Sequence, residues 1–156
     1  MWKFGLWMAI AALGLAMPLQ AATCTAERAR YVMDGDANHR LEFSTAKERN
    51  AWSALVVTLT AKAGDRRFAF TASNGYSFNY LVPADPADTA ADEASPRIFF
   101  FGQRLEPLDI PTAGDTPPAY IFAPDLGPLL WYGPQGGGSD YLPIGLWHFA
   151  GCRSGA

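Results

Sequence analysis

The chain has few of the residues that carry most enzyme chemistry and metal binding. Its 156 residues include only two cysteines, Cys24 and Cys152, and two histidines, His39 and His148. A zinc site built on one pair of cysteines has too few ligands. No nucleophile elbow of a serine hydrolase occurs. The composition therefore favours neither a structural zinc site nor a hydrolase with a recognisable nucleophile.

Positive charge is also scarce. Twelve Lys and Arg residues against 15 Asp and Glu residues give a net charge of −3 at pH 7, and no segment forms a basic stripe. Proteins bind nucleic acids and anionic membrane surfaces through clustered Lys and Arg side chains. We therefore expect neither as a partner.

The N-terminus predicts a signal peptide over residues 1–22. Lys3 provides a positive start, residues 4–17 are almost continuously apolar, and Ala21 and Ala22 are small residues suited to cleavage. Such a segment is too short and wrongly flanked to span a membrane. We expect a mature domain of residues 23–156 without a membrane span, located in the periplasm or secreted; the alternative is an uncleaved anchor.

The two cysteines lie close to the two ends of the mature domain. In an exported protein, an even pair of cysteines predicts a disulfide. A Cys24–Cys152 bridge would close almost the whole domain and contribute roughly 4 to 5 kcal/mol in the chain-entropy description. The alternative is a lipid anchor on Cys24, although the residues before it match a lipobox poorly.

Residues 54–82 predict a meander of three antiparallel strands, because apolar residues alternate there with polar ones. A loop centred on residues 63–64 would pair Leu59 with Phe68. A three-residue loop over 73–75 would pair Phe70 with Phe78 and place the aromatic residues of the third strand on the inner face.

The rest of the chain also predicts mainly strands and loops. Residues 83–96 are rich in Ala, Asp and Pro and predict a mobile loop, whereas residues 46–52 favour a short helix. Further strands are expected at 28–33, 39–44, 97–101 and 145–150, with a hairpin of 120–122 and 129–132 around a loop at 124–127.

These elements predict an all-β fold in one domain. We expect a single antiparallel β-sandwich or barrel of about eight or nine strands. The mature domain would hold at most one short helix, near residues 46–52, in addition to the helix of the signal peptide.

Asp34, Asp36 and Asn38 have the spacing of the first three ligands of a calcium loop. His39 stands where that loop needs glycine, and Thr45 where it needs glutamate. The alternative is a polar turn with side-chain to main-chain hydrogen bonds. Calcium is the one cofactor that the sequence suggests.

Five aromatic residues surround a glycine-rich connector at 133–140. The connector lacks the Gly-Lys-Ser/Thr ending of a phosphate-binding loop. Exposed aromatic rings on a small β-domain suit a sugar or a protein partner, whereas buried ones would only fill the core. The candidate ligand-binding residues are Tyr120, Trp131, Tyr132, Tyr141 and Trp147.

In size, expected export and β-rich single-domain layout, the chain resembles the small periplasmic inhibitors of lysozyme. The resemblance carries over no motif and no site residue. Without a catalytic constellation, we expect an exported binding or accessory protein of the cell envelope that contacts a protein or glycan through aromatic residues and loops. The alternatives are a hydrolase of envelope polymers, which would need His39 or His148 beside a carboxylate in a cleft, and an enzyme-inhibitor-like protein.

Overall fold

The computed structural model describes residues 24–46, 53–61, 64–72, 78–84, 95–132 and 141–153. The expected signal peptide, the expected helix beyond Ala46, most of the acidic loop and the glycine-rich connector lie outside these ranges. No helix in the described part of the chain is long and apolar enough to cross a membrane.

The structure is all-β, as the sequence predicts, with nine strands and one short α-helix in its described part. All strand pairs are antiparallel. A 3-10 turn at Ala26–Arg28 precedes them. The strands are β1 (Ala29–Met33), β2 (Asp36–Thr45), β3 (Leu55–Ala61), β4 (Gly64–Ala72), β5 (Asn79–Pro83), β6 (Arg97–Phe101), β7 (Pro107–Leu108), β8 (Tyr120–Phe122) and β9 (Leu146–Cys152), and the helix is α1 (Leu126–Tyr132).

The nine strands form one sheet in the order β5-β4-β3-β2-β1-β9-β8-β6-β7. A further pairing joins β5 to β6, with Asn79 opposite Ile98 and Tyr80 opposite Arg97. Because β5 and β6 lie at opposite ends of the eight-strand series, this pairing nearly closes the sheet into a barrel. Eight strands leave an interior that side chains alone can fill.

Alternate residues of the strands fill that interior. Leu41 and Phe43 of β2 and Leu59 of β3 are fully buried, as are Tyr31 and Trp147 on the neighbouring strands β1 and β9. Each such side chain contributes roughly 1.5 to 3 kcal/mol when it leaves water. The core therefore contains the residues that the predicted alternation of β1, β2 and β3 assigns to the inner face.

The first turn of the meander is tighter than predicted. Ala61 pairs with Gly64, so that two residues connect β3 to β4, and Val57 rather than Leu59 lies opposite Phe68. Gly64 has a φ of 109°, which glycine adopts without strain. The observed register differs from the predicted one by two residues. The prediction therefore assigned residues to the correct faces of the sheet but gave them the wrong partners on the neighbouring strand.

The second turn was predicted in the wrong register. Phe70 pairs with Leu81 instead of Phe78, and Tyr80 lies opposite Thr71. Leu81 is fully buried whereas Tyr80 is half-buried. An odd shift exchanges the two faces of a strand, so the core takes the aliphatic residue and leaves the tyrosine, with its hydroxyl group, nearer to water.

The expected hairpin around residues 124–127 is also wrong, because its second half is helix α1. Leu126 and Leu130 are spaced by four residues and both are buried in the core, which is the spacing of one helix face. Tyr120 consequently pairs with His148 of β9 and not with Trp131. Because α1 follows β8 directly, it lies at the end of the barrel where β8 ends and β9 begins, and we call this end the helix end.

The two termini of the described domain meet at the opposite end. Cys24 and Cys152 form a disulfide with Cα atoms 5.7 Å apart, which confirms the predicted bridge. The Arg153 amide donates to the Arg28 carbonyl, and its guanidinium donates to the Phe43 carbonyl 2.7 Å away. Because the Cys24 sulfur is in the disulfide, it cannot carry a thioether-linked lipid.

Candidate functional site

Five large apolar side chains are exposed at the helix end, and we call this group the end face. Tyr132 is 82% exposed, Tyr141 74%, Ile144 71%, Leu146 42% and Trp131 41%. Soluble proteins seldom expose so many large apolar residues together unless the surface contacts another molecule.

The local fold explains why these residues face outward. Leu126 and Leu130 turn one side of α1 into the core, and the last two residues of the helix, Trp131 and Tyr132, remain outside. Segment 141–146 returns along the helix: a Cβ atom added at Gly127 would lie 2.7 Å from the Leu142 carbonyl oxygen. Neither α1 nor segment 141–146 contains a charged residue.

The structure places the five predicted aromatic residues in three different surroundings. Trp131, Tyr132 and Tyr141 belong to the end face. Trp147 is fully buried and pairs with Ile121 and Met33 on the neighbouring strands. It therefore belongs to the core and is not a candidate for ligand binding. Tyr120 lies elsewhere, in a groove on the barrel wall.

This wall groove is a shallow, open depression of about 1060 Å³. It runs across the outer surface of β9 and β8, where His148 and Tyr120 face each other, and the β6–β7 loop forms one side. Asp34, Gln103 and Glu106 contribute polar groups, and its other lining residues are Cys24, Gly102, Leu108, Thr116, Pro117, Ala119 and Phe149.

Two carboxylates in the wall groove differ in how firmly they are held. Glu106 accepts a hydrogen bond from the Arg104 amide at 2.9 Å, and its carboxylate occupies the space beside Gly102 where any larger residue would place a Cβ atom. Asp34 Oδ1 is 3.4 Å from His148 Nδ1, and the Asp34 side chain is 97% exposed. A pair this exposed contributes little to stability.

Two of the three candidate calcium ligands, Asp34 and Asp36, contact different histidines. Asp36 uses one carboxylate oxygen to accept the Asn38 amide and the other to accept His39 Nδ1, 2.6 Å away. Asp34 points instead toward His148. The hydrogen bonds of Asp36 are of the kind expected for a polar turn, and we do not propose calcium binding here.

His39 is a residue whose burial the sequence did not lead us to expect. It is 4% exposed and lies on β2 in the same alternation as Leu41 and Phe43. Its Nε2 atom is buried and has no hydrogen-bond partner among the described residues. The two-residue spacing from Leu41 was the signal that could have placed this histidine on the inner face.

Within the described ranges, no group of three or more His, Cys, Asp or Glu side chains could hold a metal ion. No family model, no curated protein and no solved structure matches this chain. The protein therefore belongs to the class of nearly complete β-barrels whose terminal segments are joined by a disulfide. Its surface carries an apolar end face and a polar wall groove.

Proposed function

We propose that this chain is an exported, non-catalytic binding module of the cell envelope that contacts a protein partner through its end face. The observation that carries the proposal is the uncharged cluster of exposed aromatic and aliphatic side chains on α1 and segment 141–146. The disulfide supports export, because such bridges persist in oxidising compartments.

The composition of the end face favours a protein over a glycan. Tyr132, Tyr141 and Trp131 are residue types that dominate the energetics of protein interfaces. Ile144 and Leu146 add branched aliphatic surface, which fits another apolar side chain better than it fits a hydroxylated sugar. Apart from the Trp131 indole N–H and the Tyr132 hydroxyl, α1 has no hydrogen-bonding side chain, whereas sugar sites need several such groups beside their aromatic rings.

The exposed area is also suited to this role. Taking about 200 Å² for a large side chain, the exposed fractions correspond to on the order of 600 Å² of surface. One partner contributes roughly 800 Å² to a standard-size interface. The end face could therefore form most of one side of such an interface, with neighbouring loops providing the polar rim.

The first experiment is capture of envelope proteins from the source cells on the immobilised mature protein, followed by measurement of each purified candidate. We expect a partner for which the double variant Tyr132→Ser, Ile144→Ser binds about 100-fold more weakly, since central interface residues carry most of the binding energy. The matched control is Leu105→Ser, another exposed leucine, in the β6–β7 loop and outside the end face, which should change the Kd little.

Two results would overturn the proposal. One is that every captured partner binds the double variant as tightly as it binds the original protein. The other is that a purified envelope polysaccharide, and no protein, loses affinity in the double variant, which would make the glycan alternative correct. If the captured partner is an enzyme that loses activity when it binds, the enzyme-inhibitor-like alternative is correct.

A hydrolase of envelope polymers is the second candidate, and one observation favours it. His148 lies 3.4 Å from Asp34 in the wall groove, the arrangement that this alternative needs. Incubation of the pure protein with purified envelope polysaccharide measures new reducing ends. Product that disappears with His148→Ala would establish the hydrolase, whereas no product would exclude it for that substrate.

A further inference from the structure

We infer that the wall groove is a second binding site, independent of the proposed function, and that it takes a neutral oligosaccharide. The juxtaposition that points to it is an aromatic ring, Tyr120, placed beside hydrogen-bonding side chains that project from separate parts of the chain. These are Gln103 and Glu106 of the β6–β7 loop, His148 of β9 and Asp34 of the β1–β2 turn.

The shape of the groove fits an extended ligand. Its volume of about 1060 Å³ is at the upper limit of ordinary small-molecule pockets. It is open rather than enclosed, so a chain of several sugar units could enter from the side and continue beyond both ends. A small compact ligand would leave most of the lining in water.

The chemistry of the lining fits a sugar. A pyranose ring offers an apolar C–H face, and the half-buried ring of Tyr120 offers the matching apolar surface. Sugar hydroxyl groups donate hydrogen bonds, and the carboxylates of Glu106 and Asp34 accept them. Gln103 can both donate and accept, as hydroxyl groups require.

The charge of the groove argues against other ligand classes. Among the described residues that line the groove, two carry carboxylates and none is a lysine or arginine, so an anionic ligand would be repelled. A compact cation would gain little, because Asp34 is almost fully exposed and charges in water attract each other weakly. A neutral, hydroxyl-rich molecule avoids both difficulties.

Saturation-transfer NMR on the disulfide-intact protein tests the inference with defined probes at about 1 mM, the scale of weak recognition. The neutral probes are cellotriose and tri-N-acetylchitotriose, the anionic probe is trigalacturonate, and the cationic probe is spermidine. We expect transfer to the ring C–H protons of at least one neutral trisaccharide and none to trigalacturonate or spermidine.

Variants locate the binding. Tyr120→Leu should weaken the neutral trisaccharide about tenfold. Gln103→Ala, at an exposed loop position, should weaken it as well and remains informative if Tyr120→Leu fails to fold. Tyr132→Ser on the end face is the matched control and should leave sugar binding unchanged.

Three results would overturn the inference. The first is no transfer to either neutral probe, and the second is binding that survives both groove variants. The third is preferential binding of spermidine, which would make the groove a cation site. Loss of binding in Tyr132→Ser alone would assign the sugar to the end face instead. Failure of the end face to bind a protein would not affect any of these outcomes.

Discussion

Removal of the Cys24–Cys152 bridge is the perturbation whose effect follows most directly from the structure. The bridge spans 128 residues of sequence, nearly the whole described domain. Within the folded barrel, β1 and β9 are already paired, with Ala29 opposite Cys152. The bridge therefore adds little to the folded state and acts mainly by restricting the unfolded chain.

The magnitude follows from the length of the closed loop. A loop of this length loses chain entropy equivalent to about 5 kcal/mol at 25 °C. Natural domains have unfolding free energies of about 5 to 15 kcal/mol. We therefore expect the double variant Cys24→Ala, Cys152→Ala to keep the same fold while losing a large part of its stability.

Urea unfolding followed by tryptophan fluorescence measures this loss. The double variant should also show a steeper dependence on urea, because the unbridged unfolded chain exposes more surface. The unmodified protein kept under reducing conditions is the control and should match the variant. A loss below about 1 kcal/mol in both samples, within the range of ordinary point mutations, would show that the bridge does not stabilise the domain by restricting its unfolded chain.

Three further predictions concern side chains inside the barrel and around α1. Tyr31→Phe removes a buried hydrogen bond of 3.0 Å to a main-chain carbonyl and should cost about 1 kcal/mol in urea unfolding. Burial raises the pKa of the Tyr31 phenol. The free energy of unfolding should therefore fall as the pH rises above about 10, where the unfolded chain loses this proton and the folded one keeps it. Tyr31→Phe should diminish this loss. Hydrogen bonding to Arg97 lowers the pKa of Asp125; the stability from this pair should be present at neutral pH and lost as the pH falls below about 4. Thermal unfolding of Asp125→Asn should show lower stability at pH 7 and convergence with the original protein in acid. Gly127→Ala should cost about 1 to 3 kcal/mol in urea unfolding, because its Cβ atom would collide with the Leu142 carbonyl; unchanged stability would contradict this packing.

The sequence predicted the strands and the bridge because both depend on local or elementary features. Period-two alternation follows directly from the geometry of a strand with one buried face. The cysteine pair needed only an exported chain and two cysteines near its ends. Neither inference required knowledge of which strand lies beside which.

The predictions that failed depended on non-local choices. A run of alternating residues such as 76–82 fits either face of a strand, and only packing against the rest of the core selects Leu81 over Tyr80. The segment 126–132 is short and apolar, and such segments suit a strand or a helix equally well. A helix places both Leu126 and Leu130 in the core, because residues four apart lie on one helix face.

The end face and the wall groove also differ in how far the sequence alone could predict them. Three of the aromatic residues singled out from the sequence, Trp131, Tyr132 and Tyr141, lie on the end face. The wall groove combines residues as distant in sequence as Asp34, Glu106 and His148. No spacing rule connects such residues, so only the barrel topology could bring them together.

Photo-cross-linking in the source cells shows whether a protein partner contacts the end face. A photoreactive phenylalanine analogue replaces Tyr132 in one strain and the exposed Asp109, outside the end face, in another. We predict a discrete protein adduct from position 132 after illumination and none from position 109. Absence of an adduct at 132, or equal adducts at both positions, would contradict the account.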